Sequence, residues 1–130
     1  MTYMFLFMMF FLHVIADFNL QGILASMKQK AWWARNVSVE KYKNDYIICL
    51  YIHSFTWSFL ITLPWLVYAI ILNSNSLYIL LSGLYIINTI LHAYTDDLKA
   101  NQLKINLIED QIIHFLQIIS SWGCLIALNG

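Results

Sequence analysis

The chain has little charge. Asp, Glu, Lys and Arg make up 11% of its 130 residues, against about 25% in a soluble domain. Seven basic and seven acidic residues cancel, which leaves no electrostatic footprint for nucleic acid. One proline and four glycines exclude a loop-rich, collagen-like or disordered chain. Two cysteines, Cys49 and Cys124, stand far apart in apolar runs. They form neither a CxxC motif nor a disulfide framework and read as buried free thiols. Nothing nearby would activate either as a nucleophile. GxSxG, SxxK, P-loop, GxGxxG and HExxH patterns are all missing, so the common nucleotide and hydrolase signatures give no lead.

What remains is apolar. Hydrophobic residues make up 61% of the chain and aromatic residues 16%, which suits a protein with two membrane interfaces. About 20 apolar residues cross a bilayer as a helix. Four such runs occur, at about 4–24, 46–72, 77–97 and 107–128. The first has no basic segment before it and no small-residue cleavage site after it, so it reads as a retained span rather than a signal peptide. The second is long enough to tilt and carries Pro64, where a kink is expected. Asn106 followed by Glu109 predicts a capping box opening the fourth. The fold class is therefore all-α, a single transmembrane four-helix bundle covering 1–130.

All seven basic residues, Lys28, Lys30, Arg35, Lys41, Lys43, Lys99 and Lys104, fall in or beside the first and third loops. The positive-inside rule places those loops in the cytoplasm and both termini outside, as in a bacterial inner-membrane protein. The first loop also holds Trp32-Trp33, a headgroup-level signal. Within that loop, Ser38 with Glu40 two residues on can open a short interfacial helix; an ordered loop is the competing reading.

The histidines and aspartates are the unusual feature. His13/Asp17, His92/Asp96 and Asp110/His114 are three pairs at four-residue spacing, so each pair shares a helix face. His53 lies alone in the second run. At ~1.5 Å per residue, Asp17, His53, His92 and His114 all come roughly 6–11 Å from the cytoplasmic helix ends. Each helix offers one polar stripe: His13, Asp17, Gln21; Cys49, His53, Thr56; Tyr85, Asn88, His92, Asp96, Lys99; and Asp110, His114, Gln117, Ser121. Beyond this level the runs look almost wholly apolar, with Asn88 and Thr56 the deepest polar groups.

A charge at mid-membrane costs ~2.5–3.5 kcal/mol on the insertion scale, so three carboxylates need partners. Histidinium, an inserted lysine, protonation or a metal ion would serve. Histidine with carboxylate suits a divalent metal, zinc or manganese first. His13, Asp17, His53, His92, Asp96, Asp110 and His114 suffice for one ion, or for two sharing a carboxylate. A pair ~3.5–4 Å apart suits phosphoester hydrolysis. Packing is the plainer reading: a lone intramembrane His or Asp is commonly a helix–helix hydrogen-bond partner, and His53 has no carboxylate at helical spacing. Asp97 and Glu109 read as solvated helix-end residues. Lys99 can snorkel to the interface. Trp57, Trp65 and Trp122 read as packing or interface residues.

Taken together, His13-x-x-x-Asp17-Phe18-x-x-Gln21, Lys28, His53, His92-x-x-x-Asp96-x-x-Lys99 and Asp110-Gln111-x-x-His114 resemble a small family of bacterial and phage membrane proteins. That family is catalogued as domain of unknown function thirty-three-oh-seven. The resemblance covers about residues 12–118, and the doubled Asp96-Asp97 is a local variation. It implies a small integral membrane protein and brings no activity with it. In style the motifs are similar to those of small membrane proteins described as metal-dependent hydrolases, which also use His/Asp motifs at helix ends.

The leading expectation is a membrane-embedded metal-dependent hydrolase acting at the cytoplasmic face on a lipid or lipid-linked phosphoester or acyl bond. His53 and Asp110 are the candidates for acid–base catalysis, and Gln21, Lys99 and Gln111 for substrate contact. The alternatives are an ion or proton transporter, which at this size would need a homo-oligomer, and a non-enzymatic phage or bacterial membrane interaction protein.

Overall fold

The computed structural model describes residues 2–38 and 40–129 and is all-helical. Helix α1 (Thr2–Val14) passes into a π-helical turn (Ile15–Asn19). Two short helices follow, α2 (Leu24–Met27) and α3 (Lys30–Asn36), and then a 3-10 turn (Glu40–Tyr42). Three long helices complete the chain: α4 (Asp45–Leu72), α5 (Asn75–Ala100) and α6 (Leu107–Asn129). Four segments are long and apolar enough to cross a bilayer, at 2–19, 40–72, 75–100 and 107–128.

The long helices pack as a ring in which α1 touches α4, α4 touches α5, α5 touches α6, and α6 returns to α1. The connections fix their alternation. Asn73 adopts φ 49 at the end of α4, and Ser74 N–H reaches back to the Ala69 carbonyl. This left-handed cap stops one helix so tightly that the next begins two residues later. Ser74 then caps α5 by accepting from Leu77 N–H at 3.4 Å. The expected capping box forms: Glu109 accepts from Asn106 N–H at 2.8 Å, and Asn106 Oδ1 accepts from Glu109 N–H at 3.0 Å.

Two local expectations differ from the structure. The first span ends at Asn19, short of Leu24, because Gly22 takes φ +49 and turns the chain; a left-handed residue ends a helix, and glycine adopts it without strain. Helix α4 runs unbroken with Pro64 inside it; packed neighbours let a membrane helix tolerate the missing donor. In the first loop the helix holding the tryptophan pair is Lys30–Asn36, followed by the 3-10 turn, whereas the two readings of that loop were a helix opening near Ser38 and an ordered loop. Val39, within that expected helix, lies outside the described residues.

Amphipathy is inverted relative to a water-soluble bundle. Phe7, Phe11, Ile71, Ile79, Ile86 and Leu116 face outward, while the buried set includes four histidines, three aspartates and a lysine. The interior is also divided along its length. Met9, Trp57, Ile61, Trp65, Leu77, Leu81, Ile118 and Leu125 belong to one apolar core cluster. At the apolar end, Trp122 Nε1 donates to the Thr2 carbonyl at 3.0 Å. The ionisable side chains gather at the other end, where the basic loops lie.

Segment 20–36 forms a strap at that end. Asn101, just past α5, accepts from Lys30 N–H at 2.6 Å, donates to the Lys28 carbonyl at 3.1 Å and donates to Asp97 at 2.8 Å. Trp33 Nε1 donates to the Met27 carbonyl at 2.7 Å and joins the strap's two short helices. With each net bond contributing about 0.5–1.5 kcal/mol, Asn101→Ala should raise amide hydrogen exchange across 24–36 by about tenfold or more. Exchange in the four long helices should stay unchanged. Equal protection in both proteins would mean that Asn101 does not hold the strap.

Candidate metal centre

All four long helical segments contribute to one buried cluster. The π turn supplies Asp17, α4 supplies His53, α5 supplies His92 and Asp96, and α6 supplies Asp110 and His114. None of these residues is more than 4% exposed. The π turn widens the backbone at Asp17, with Leu20 N–H reaching the Ile15 carbonyl at 2.9 Å. Such turns recur at functional sites because they re-aim side chains.

Each carboxylate has one occupied oxygen and one bare oxygen. Asp17 Oδ2 accepts from Gln111 at 3.0 Å. Asp96 Oδ2 accepts from the Lys28 ammonium at 2.6 Å. Asp110 Oδ2 accepts from the Lys99 ammonium and, at 3.1 Å, from Gln111. The Oδ1 atoms of all three are buried without a hydrogen-bond partner, and so is His114 Nε2. Buried polar atoms are normally satisfied, so four bare ligand atoms in one cluster call for an explanation.

The distances supply one. His53 Nε2 lies 3.1 Å from His92 Nε2, 3.3 Å from Asp17 Oδ1 and 3.4 Å from Asp96 Oδ2. His92 Nε2 lies 3.6 Å from Asp17 Oδ1 and 3.8 Å from Asp96 Oδ2. Tetrahedral ligands on a metal at 2.0–2.1 Å stand ~3.3 Å apart. Beside this group, His114 Nε2 lies 3.3 Å from Asp110 Oδ1, 3.6 Å from Asp96 Oδ1 and 4.0 Å from Asp17 Oδ2. Asp17 and Asp96 thus turn one oxygen toward the His53/His92 pair and the other toward His114. Three triads, Asp17/His53/His92, His92/Asp96/His114 and Asp17/Asp110/His114, have ligand atoms all within 4.8 Å of one another. The chain therefore contains a buried His/Asp cluster able to hold a divalent metal ion.

His13 is engaged differently from the other histidines. Its Nδ1 accepts from Trp57 Nε1 at 2.8 Å, so its protonated Nε2 donates to Gln111 Oε1 at 3.0 Å. Gln111 then has its amide group free to donate to Asp17 and Asp110. His13 and Gln111 accordingly act on the carboxylates from behind. Gln21 donates to the Asp17 backbone carbonyl. His114 is oriented by Gln117, whose Oε1 lies 3.0 Å from Nδ1; a donor Nδ1 leaves Nε2 as the lone-pair nitrogen.

Two participants were given no place in the site from the sequence. Lys28 read as a topology signal and as one member of the family motif, and it is 5% exposed and inserted against Asp96. Trp57 read as packing or interface, yet its ring stacks on His92 with centroids 4.2 Å apart. His92 in turn stacks on His114 at 4.1 Å. The only sequence signal for Trp57 is its position four residues after His53. Thr56 is exposed and bonds its own helix at the Ile52 carbonyl, so the polar face of α4 runs through His53, Ser54, Ser58 and Thr62 instead. Cys49 is buried as expected, but Cys124 is exposed, one residue before the buried Leu125 on the α6 surface.

Removing one partner of a buried ion pair costs about 3–5 kcal/mol, because the other charge is left uncompensated. In chelated, metal-free protein, Lys28→Met should lower unfolding stability by about that amount. Adding Asp96→Asn should recover most of it, a coupling readable from the double-mutant cycle. Additive losses would show that the pair is not coupled. Compared with protein-family models, with curated proteins and with solved structures, the chain matches none.

Proposed function

We propose that this protein binds two divalent metal ions, zinc or manganese, and is a hydrolase of a phosphoester or acyl bond in a lipid or lipid-linked substrate. The observation that carries the reading is the pair Asp17 and Asp96, each turning its two oxygens toward different imidazoles. His53, His92, Asp17 and Asp96 would hold one ion, and His114, Asp110, Asp96 and Asp17 the other. Carboxylates and histidines that project inward from facing helices are the kind of residues from which di-metal sites are built in bundle cores. The metal pair would activate water and neutralise charge at the scissile group.

The chain's own residues do the rest. Lys28 and Lys99 bring cationic charge to a site whose aspartates are buried. His13 and Gln111 fix the orientation of Asp17 and Asp110. The stack of Trp57, His92 and His114 holds the imidazoles against rotation. Asp110, bonded at one oxygen to Lys99 and Gln111, is held with its other oxygen toward His114, where it would serve as a ligand. His53 serves as a ligand in this reading. The concentration of Lys and Arg in the loops at this end favours a cytoplasmic placement of the cluster in a bacterial inner membrane, with strap residues Trp32 and Trp33 at headgroup level. The motif resemblance to the small bacterial and phage membrane family fits the same picture.

One feature favours a second reading, ion or proton transport. Polar atoms continue inward from the cluster. Gln117 contacts the Asn88 carbonyl at 3.5 Å, Asn88 donates to Ser121 at 2.8 Å, and Ser58 Oγ and Trp65 Nε1 are buried without partners. In reconstituted liposomes, this reading expects metal or proton flux that is lost in His92→Ala.

Elemental analysis of detergent-purified protein should find up to two zinc or manganese ions per chain. Asp96→Ala should lose most of the metal, since Asp96 faces both positions, while Asp97→Ala should keep it. Metal content below one ion per ten chains after titration, or unchanged in Asp96→Ala, would sink the proposal. If metal is present, product release from a phospholipid panel that persists in His53→Ala would remove the hydrolase assignment.

A further inference from the structure

The charges inside the cluster can be counted, and the count bears on the substrate class; this step rests on the two-metal reading above. Three carboxylates, Asp17, Asp96 and Asp110, and two ammonium groups, Lys28 and Lys99, are the formally charged side chains that meet there. Asp97 is outside the cluster, its oxygens taken by Asn101 and Gln102. Histidines that ligate a metal are neutral. The protein's own charge at the site is therefore minus one. One divalent ion makes it plus one, and two make it plus three.

A net charge of plus three is hard to hold there. The aspartate side chains are at most 5% exposed and that of Lys28 is 6% exposed, so water screens little, and like charges at contact repel several-fold more than in bulk water. Lys28 cannot simply swing out, because the strap that carries it is tied to Asn101 at Lys28 O and Lys30 N. Lys99, at 25% exposure, is bonded to Asp110. Loss of a proton from metal-bound water would remove one positive charge; removing more needs an anion that enters with the metal.

We propose that the second metal binds only together with a phosphate monoester or inorganic phosphate, with Lys28 and Lys99 as its ammonium partners. A neutral acyl ester brings no charge and leaves plus three. A phosphodiester or carboxylate brings one negative charge and leaves plus two. A phosphate monoester brings two and returns the site to the plus one of the singly loaded state. The charge count thus favours a phosphomonoester over the acyl ester left open above. Two sources share this chemistry, a lipid bearing a terminal phosphate and a free phosphate compound.

The test uses the full chain in nanodiscs of zwitterionic lipid, stripped of metal and titrated with manganese. A coupled manganese pair is distinguishable from an isolated ion by electron paramagnetic resonance. Three arms are compared: no added anion, inorganic phosphate, and nanodiscs containing phosphatidic acid. Without anion, one ion should bind. With anion, a second should bind and the pair signal appear, the second-site affinity rising by about tenfold or more; by linkage, phosphate should bind at least that much more tightly once metal is present. A response to phosphatidic acid alone assigns a membrane substrate, and a response to inorganic phosphate alone a soluble one. Lys28→Gln should weaken the anion effect by about tenfold, and Lys28→Arg should restore it; an undiminished effect in a folded Lys28→Gln protein would remove Lys28 from the proposal. Should Lys28→Gln fail to fold, the wild-type titration still decides. Two ions binding equally well in all three arms, or one ion in all three, overturns the phosphate proposal. The first of these outcomes leaves the two-metal reading standing, whereas no metal bound in any arm overturns both.

Discussion

Three carboxylates enclosed by apolar helices are the constraint on which this structure turns. In water each would be solvated at no cost. Inside a bundle whose outer face is Ile, Phe and Leu, each must find its compensation within the chain. Lys28, Lys99 and Gln111 answer that need at one oxygen of each acid. The strap delivers one ammonium group, Lys28, to Asp96, while α5 delivers the other, Lys99, to Asp110. Its ties to Asn101 follow from the same demand, because a lysine held only by its own flexible stem would lose the pairing to its rotamer freedom.

The second consequence is rigidity. Helix association in lipid gains nothing from hiding apolar surface, so packing and interhelical hydrogen bonds must hold the bundle. The cluster supplies both. Trp57, His92 and His114 stack in succession, while Trp57, His13 and Gln111 form a hydrogen-bonded line from α4 through α1 to α6. A group of side chains fixed at this many points can present ligand atoms at metal-like spacing without a metal being there to organise them. Preorganisation of this kind lowers the cost of binding.

Much of this was legible from residue spacing, because membrane spans obey two simple rules. Length and apolarity located the four helices, and the four-residue His/Asp spacing together with a common depth gathered Asp17, His53, His92, Asp96, Asp110 and His114. What escaped was whatever depends on chain reversal or helix phase. Gly22 turns the first loop back toward the bundle, and no periodicity in 20–36 announces that Lys28 will point inward. A basic loop residue satisfies the positive-inside rule equally well whether it faces water or an aspartate. On α4, the choice between Thr56 and Trp57 for the inner face is a rotation of one residue. Only the partners, His13 and His92, settle it. The outward turn of Cys124 is the same kind of phase error on α6.

The contrast between satisfied and bare atoms separates a ligand site from mere packing. A polar network selected only to join helices gains most when every member is paired, and a half-paired network is worse than an apolar one. Ser58 Oγ and Trp65 Nε1 are bare too, but each is neutral, so either can be accommodated at modest cost. The bare Oδ1 atoms of Asp17, Asp96 and Asp110 are anionic, and they share their surroundings with His114 Nε2. Packing alone would favour asparagine or glutamine at these positions, which could form the same links without the charge. Retaining three acids, and placing two lysines against them so that each acid keeps one oxygen free, makes sense for a site that exchanges cations and charged ligands.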